Sequence, residues 1–134
     1  MQVPGTGRIL IVDDDPMVRK IVITILQKYG YNVFDAPSGQ QGLKCVAEHP
    51  EIDMVLADII MPELSGPEMI DRILEIRPAM RVIFMTGYGI DNLLTHQVKR
   101  FSVLEKPFTI PGLLGAVRNG LEKHDHEKTP VSHF

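Results

Sequence analysis

Short apolar segments alternate along the chain with longer stretches in which apolar residues recur every three or four positions. The short segments are 9–12, 31–36, 54–58, 82–85 and 102–105. Apolar segments of this length predict strands that are buried on both faces. The helical spacing recurs from Pro16 to about Gly30, between Ser38 and Pro50, between Ser65 and Pro78, over 91–99, and from Thr109 to Leu121. The pattern therefore predicts five strands, each followed by an amphipathic helix.

Five repeats of strand and helix predict an α/β fold, a doubly wound parallel sheet with helices on both faces and right-handed crossovers. At 134 residues the chain has the length of one domain with a full core. We expect a flexible lead-in over 1–7, one domain over 8–123 and a polar tail over 124–134.

Polar residues mark where the predicted helices begin. Asp15 before Pro16 is an N-cap candidate, and Thr109 has the same position before the last helix. Ser38 with Gln41, and Ser65 with Glu68, have the spacing of capping boxes. Three glycines in the last helix are expected to weaken it, by about 1 kcal/mol each relative to alanine; they are Gly112, Gly115 and Gly120.

The composition excludes several classes of protein. Apolar residues make up 44% of the chain, which favours a globular protein, and no apolar run is long enough to span a membrane. The formal charge of −3 gives no general attraction to nucleic acid. No signal peptide is visible, and the single cysteine, Cys45, excludes an internal disulfide. We therefore expect a cytoplasmic protein with no direct contact to nucleic acid or membrane.

Four of the five predicted strands end in polar residues. Asp13 and Asp14 follow the first strand, Asp58 ends the third, Thr86 follows the fourth and Lys106 follows the fifth. Carboxyl ends of parallel strands lie at one edge of a sheet, where open α/β sheets bind their ligands. The second strand ends in an alanine and a proline, so a sheet with that strand at its edge brings the other four ends together.

This group of side chains indicates metal and phosphate chemistry. Three neighbouring carboxylates raise one another's pKa values, and a divalent cation relieves the repulsion. Oxygen ligands without histidine or cysteine select a hard ion such as Mg²⁺. Lys106 suits a phosphoryl group as a point charge, and the Thr86 hydroxyl can donate to one of its oxygens. Asp58, on the central strand, is the candidate nucleophile, since carboxylates form aspartyl phosphates.

Each residue taken alone has a simpler explanation. An aspartate after a strand often caps the next helix, a threonine after a strand is often a turn residue, and a lysine before a proline is often solvated. Only the combination at the right strand ends indicates a functional site.

These motifs resemble those of the receiver domains of response regulators in two-component signalling. The matching pieces are Ile-Leu-Ile-Val-Asp-Asp-Asp-Pro over 9–16, Asp58 with Met61-Pro62 and Gly66, Thr86, and Lys-Pro-Phe over 106–108. The resemblance covers about residues 8–123. It implies a flavodoxin-like fold with strand order 2-1-3-4-5. The segments 84–88 and 104–108 are also similar to receivers attached to hybrid sensor histidine kinases.

The resemblance implies a role for each matching residue. Asp58 is the expected phosphoacceptor; Asp14 and Asp58 bind Mg²⁺ directly, Asp13 acts largely through water, and the backbone carbonyl of Ile60 is a further ligand. Lys106 pairs with the phosphoryl group and Thr86 shifts toward it. The implied partner is a phosphohistidine on a sensor histidine kinase or histidine phosphotransfer protein. The domain is then not an enzyme but assists its own phosphorylation by positioning and electrostatics, and a homodimer through the last helices is possible.

The chain departs from the family pattern at three places. The position three residues before the lysine, often an aromatic switch residue, is Val103, with Phe101 on the same strand face; we expect the threonine–aromatic switch to be absent or altered. The segment between Thr86 and Lys106 is short, so the fourth helix is expected to be truncated or irregular. Neither Ile60 nor Tyr88 can orient an attacking water, which predicts dephosphorylation over hours rather than seconds.

Two other functions fit parts of the sequence. A haloacid-dehalogenase-like phosphatase would use Asp13 and Asp15, but it needs an acidic pair after its lysine, and no acid follows Lys106 until Glu122. It also leaves Asp58 without a role. A receiver-like interaction module that is never phosphorylated is the second alternative, and the complete set of acids, threonine and lysine argues against it.

Overall fold

The computed structural model describes residues 7–87, 98 and 100–128, with side chains as far as residue 122. Its strands are β1 (Arg8–Val12), β2 (Asn32–Ala36), β3 (Met54–Asp58), β4 (Arg81–Thr86) and β5 (Ser102–Glu105). Its helices are α1 (Pro16–Lys28), α2 (Gly39–Glu48), α3 (Gly66–Ile76) and α4 (Ile110–Lys128). Every predicted strand is present within one residue of its predicted bounds. The predicted helix over 91–99 falls almost entirely outside the described residues.

The five strands form one parallel sheet in the order β2-β1-β3-β4-β5. The α/β fold and the strand order expected from the sequence are therefore confirmed. β3 is the middle strand and pairs with β1 on one side and β4 on the other. Asp58, its last residue, consequently lies at the centre of the carboxyl edge of the sheet.

Two apolar layers enclose the sheet. On one face, α1 and α4 contribute Val22, Leu26, Leu113 and Val117 to a cluster with Ile9, Ile11, Met54, Leu56, Ile83 and Met85. On the other face, α2 and α3 pack Val46, Met69, Ile70 and Ile73 against Leu10, Val12, Val55, Ala57 and Phe84. Residues 54–57 of β3 are fully buried, as the apolar run predicted. This double burial makes β3 a rigid support for the residue at its end.

The predicted capping residues accept hydrogen bonds from backbone amides in the first turns of the helices. The Asp15 carboxylate accepts a hydrogen bond from the Met17 amide, and the Thr109 hydroxyl accepts one from the amide of Gly112 at 2.9 Å. Both halves of the capping box between Ser65 and Glu68 are formed. At Ser38 only the serine half is present, with the Gln41 amide donating to the hydroxyl at 3.2 Å.

The last helix differs from its prediction in two respects. It continues to Lys128, beyond Glu122, where the change to polar residues predicted its end; glutamate and lysine are good helix formers even without an apolar face. Gly120, expected only to weaken the helix, lies where a Cβ would come within 2.5 Å of the Met54 side chain. The missing side chain therefore lets the helix pack closely on β3. Among the described residues, no helix has the length and apolarity needed to cross a membrane.

Candidate functional site

The polar residues that follow the strands meet at the carboxyl edge of the sheet. Asp13 and Asp14 follow β1, Asp58 ends β3, Thr86 ends β4 and Lys106 follows β5. Their convergence follows from the strand order, because β2, which brings no such group, lies at the outer edge. The three carboxylates and the lysine predicted from the sequence lie together in one cluster.

Lys106 bridges two of the carboxylates. Its Nζ donates a hydrogen bond to Oδ2 of Asp13 at 2.9 Å and lies 3.6 Å from Oδ2 of Asp58. Its backbone amide donates to the carbonyl oxygen of Thr86 at 2.7 Å, which ties the end of β5 to the end of β4. The lysine is thus held from both ends, so its ammonium has a defined place in the cluster.

The two neighbouring aspartates after β1 differ in their surroundings. Asp13 is fully buried, and both of its carboxylate oxygens are engaged: Oδ2 by Lys106 and Oδ1 by the backbone amide of Asp15 at 2.9 Å. Asp14 is exposed. Asp13 is therefore a fixed charge within the protein, whereas Asp14 is accessible to a ligand that arrives from solvent.

Asp58 has a pKa raised to about 6. The largest cause is burial of its carboxylate, and the negative charge of Asp13 adds to it. The charge of Lys106 and a hydrogen bond from the backbone of Ile60 act in the opposite direction and only partly offset the rise. The ionised carboxylate is consequently held in an unfavourable environment, which a further positive charge would relieve.

Lys106 has a pKa raised above its ordinary value. Burial favours the neutral amine and is the largest single influence, but the hydrogen bond to Asp13 and the negative charges of Asp58 and Asp13 together outweigh it. The amine is therefore positively charged at physiological pH, as a partner for anionic groups must be.

The residues present fit a hard divalent cation. Carboxylate oxygens of Asp13, Asp14 and Asp58 all lie within 4.8 Å of one another. The set consists of oxygens only, and the raised pKa of Asp58 shows that its negative charge is incompletely compensated. Among the described residues the cluster is thus an acidic pocket with the ligand type that hard cations prefer.

The threonine and the residues behind it form the inner wall of this edge. Thr86 is 1% exposed. Two residues earlier on β4, Phe84 pairs in register with Val103 of β5. The Phe101 ring packs edge-on against the Phe84 ring, with 5.8 Å between the ring centroids. The aromatic ring on this face therefore belongs to Phe101. It lies two residues before Val103, the position that is often aromatic in family members. The altered threonine–aromatic switch remains a prediction.

The two residues expected to affect hydrolysis are only partly described. Ile60 is 61% exposed, and the Asp58 side chain is 13% exposed. The residue two positions after the carboxylate is thus aliphatic and open to solvent. Tyr88, the second of the two residues, lies outside the part of the chain that the structure describes.

Arg19 on α1 supports the site and was missed in the sequence. Its Nη1 donates to the backbone carbonyl of Asp13 at 2.7 Å, and its Nε donates to Oδ2 of Asp35 at 3.1 Å. Arg19 follows Asp15 by one helical turn, so its position on the first turn of the helix was a signal that it could reach back to this loop. It connects the loop that carries the acids to β2.

Replacing Arg19 by methionine is expected to lower the free energy of unfolding by about 1 kcal/mol, because the half-buried carbonyl of Asp13 loses a charged donor. Urea denaturation measures the change. The control is Asp35→Asn, which breaks only the ion pair with a half-exposed carboxylate and should cost less. Equal losses in the two variants would mean that the contact with Asp13 adds nothing.

Comparison with known proteins agrees with this geometry. The family model described as "Response regulator receiver domain" matches residues 9–118. A receiver domain protein from Clostridium thermocellum has a solved structure that superposes with a TM-score of 0.83 at 30% identity, covering 91% of this chain and 99% of that one.

Curated relatives are of two kinds: proteins that this chain covers almost completely, and longer proteins of which it covers only a part. The response regulator receiver protein CpdR of Brucella abortus is 32% identical over 116 residues, which are 85% of this chain and 96% of that protein. The sensor kinase CckA of the same organism is 34% identical over 124 residues, and sporulation initiation phosphotransferase F of Bacillus subtilis is 35% identical over 117 residues. The chain spans 13% of the length of CckA and 27% of that of the transcriptional regulator GlrR of Escherichia coli. With the family model covering most of its length, the chain belongs to the response regulator receiver domain family.

Proposed function

We propose that the chain is the phosphoacceptor domain of a His-to-Asp phosphorelay in the cytoplasm, with Asp58 as the phosphorylated residue. The observation that carries the proposal is the position of the Asp58 carboxylate, which lies with two other carboxylates within 4.8 Å and has the Lys106 ammonium at 3.6 Å. A nucleophilic carboxylate, an acidic metal pocket and a cation for the phosphoryl oxygens are the groups that this transfer requires.

The protein groups divide the work of the transfer. An oxygen of the ionised Asp58 carboxylate attacks phosphorus, the phosphorus–nitrogen bond of the phosphohistidine breaks, and the imidazole nitrogen keeps the electron pair. Lys106 pairs with the negative oxygens of the phosphoryl group, and Thr86 donates its hydroxyl hydrogen to one of them. In this scheme the domain positions the reactants and compensates charge, and it is the acceptor rather than an enzyme that acts on other substrates.

Mg²⁺ is the proposed cofactor, held by Asp14 and Asp58 directly, by Asp13 largely through water, and by the backbone carbonyl of Ile60. The engagement of both Asp13 oxygens within the protein supports the indirect role, and the exposure of Asp14 supports the direct one. The ion supplies positive charge that lowers the repulsion between the carboxylates and the incoming phosphoryl oxygens.

The proposed partner is a sensor histidine kinase or a histidine phosphotransfer protein. Exposed apolar side chains lie close in sequence to the site residues: Met17 follows the acids of β1, Ile60 follows Asp58, and Ile110 follows Lys106. Large apolar side chains that stay exposed near functional residues favour a surface on which another protein docks. The chain is similar both to a free-standing receiver and to part of a sensor kinase. Both a separate regulator and a domain of a longer protein are therefore consistent with the proposal. A homodimer through the last helices also remains a prediction.

The proposal is tested by incubating the protein with Mg²⁺ and acetyl phosphate and measuring its intact mass. We expect the wild type to gain one phosphoryl group, Asp58→Asn to gain none, and the exposed control Asp71→Asn to behave as the wild type does. Chelating Mg²⁺ with EDTA should abolish the gain. Modification that persists in Asp58→Asn would place the acceptor elsewhere, and no gain under any condition, including with a histidine kinase, would favour an interaction module.

The phosphorylated domain should lose its phosphoryl group slowly, over hours, because the exposed aliphatic side chain of Ile60 cannot orient a water molecule for attack. Introducing an amide with Ile60→Asn should shorten the half-life about tenfold, whereas Ile60→Val should leave it unchanged. The decay is followed by intact mass after removal of the donor. A half-life of seconds in the wild type would contradict the prediction.

A further inference from the structure

A second pocket lies at the opposite edge of the sheet from the acidic cluster. It is formed where β3 and β4 begin and where α3 ends, and its volume is about 360 Å³. The residues around it are Asp53, Ile76, Arg77, Pro78, Ala79 and Arg81. This volume is within the range of small-molecule sites. None of these residues belongs to the proposed phosphoacceptor site.

Two guanidinium nitrogens of the pocket residues lack a hydrogen-bond partner among the described residues. They are Nη1 of Arg77 and Nε of Arg81, and both are shielded from solvent. A buried donor without an acceptor is costly, and native proteins contain few of them. The described residues therefore leave both guanidinium groups short of acceptors, so an acceptor from outside the protein, water or an anion, is needed to complete their hydrogen bonding.

The Arg77 side chain is fixed in place rather than free to turn away. Its Nη2 donates to the carbonyl oxygen of Ile52 at 2.7 Å, which holds the guanidinium plane beside the start of β3. Stabilising the end of α3 would explain a cationic residue here. It explains neither the unpartnered Nη1 nor the second arginine on β4.

The charges around the pocket favour an anion. Arg77 and Arg81 contribute two positive charges and Asp53 one negative charge. One oxygen of Asp53 accepts a hydrogen bond from the backbone amide of Arg8 at 2.9 Å, and within the described residues neither arginine has an ion-pair partner within 4.0 Å. The pocket therefore offers an excess of donors and of positive charge.

The remaining wall is apolar. Ile76 is 58% exposed although it is a large aliphatic residue, and Pro78 and Ala79 continue the same surface. We propose that this pocket binds a small organic anion, with a carboxylate or phosphate head paired with Arg77 and Arg81 and an apolar body against Ile76. Planar guanidinium groups suit both kinds of head group.

Binding is tested with three small probes that share an aromatic body: benzoate, phenyl phosphate and neutral benzamide. The protein is kept free of divalent cations, and the arginine Nε–H resonances are followed by NMR during each titration. We expect saturable shifts of the Arg77 and Arg81 signals with benzoate, phenyl phosphate or both, and none with benzamide. The preferred anion identifies the head group. Equal shifts with benzamide, or no saturable shift with either anion, would overturn the proposal.

Variants separate a built site from general attraction to a cationic surface. Arg81→Gln should weaken binding about tenfold or more, and the control Arg72→Gln, which removes an equal charge from an exposed position on α3, should leave it unchanged. Ile76→Asp is a second test at an exposed position, where the fold tolerates a change; its negative charge should abolish anion binding. Unchanged affinity in both pocket variants would refute the site. Far-ultraviolet circular dichroism checks that each variant is folded.

Discussion

A Gly66→Ala substitution should lower the free energy of unfolding by about 3 kcal/mol. A Cβ at this position would overlap the backbone carbonyl oxygen of Asp58. Neither side can move easily, because the Gly66 amide donates to the carbonyl of Ile59 at 3.0 Å and the Ile59 amide donates to the carbonyl of Met85 at 3.0 Å. The first turn of α3 is thus pressed directly against the end of β3, where only a glycine fits.

The change is measured by urea denaturation of the wild type and two alanine variants. The control is Gly115→Ala, since a Cβ at Gly115 has no neighbour within 4 Å; it should raise stability by up to about 1 kcal/mol through helix propensity alone. Because the overlap falls on the backbone of Asp58, Gly66→Ala should also reduce phosphorylation. A variant as stable as the wild type would show that the contact is not tight.

Neutralising Asp58 should stabilise the protein in a pH-dependent way. Without divalent cations, Asp58→Asn is expected to raise the free energy of unfolding by about 2 kcal/mol at pH 8 and to have little effect near pH 4. The sign follows from the pKa of about 6 in the folded protein, against 3.8 as the ordinary value. The folded state binds this proton more tightly, so the stability that the group contributes is complete below pH 3.8 and is lost as the pH rises through about 6.

Denaturation series at several pH values in EDTA measure the difference between the two proteins. Asp71→Asn is the control, because that carboxylate is exposed and its replacement should change little at any pH. Adding Mg²⁺ at pH 8 should narrow the gap, since the cation compensates the charge only in the wild type. A difference in the free energy of unfolding that stays constant across the pH range would mean that the folded protein does not raise the pKa of Asp58.

Most of the fold followed from local signals in the sequence. The apolar run before Asp58 predicted a doubly buried strand, and proline and capping residues marked the helix starts. The strand order, the division of the metal ligands and the shift of Thr86 came instead from the resemblance to receiver domains, whereas side-chain chemistry alone had indicated a nucleophilic Asp58 beside a cation. Periodicity alone places strand ends at one edge of a sheet and does not say which strands are neighbours.

The sequence did not predict the contacts that depend on how side chains and elements pack against one another. The bond from Arg19 to the carbonyl of Asp13 was signalled only by the position of an arginine one turn into the helix, and a side chain at that position can also point elsewhere. The packing of Gly120 against Met54 was interpreted as a weakness, since propensity describes a helix without its neighbours. The pocket at Arg77 and Arg81 depends on how α3 and β4 meet.

The bond between Lys106 and Asp13 has a mechanical consequence. In the sheet order, β3 and β4 lie between β1, which carries Asp13, and β5, which precedes Lys106. A lysine side chain is much shorter than three strand spacings of about 4.8 Å, so the segments that follow β1 and β5 must bring Asp13 and Lys106 toward each other. The bond is thus a direct link between two segments whose strands are not neighbours in the sheet. Any group that draws the ammonium away from Asp13 removes this link, and the end of β5, the outermost strand, is then held to this edge of the sheet by one contact fewer.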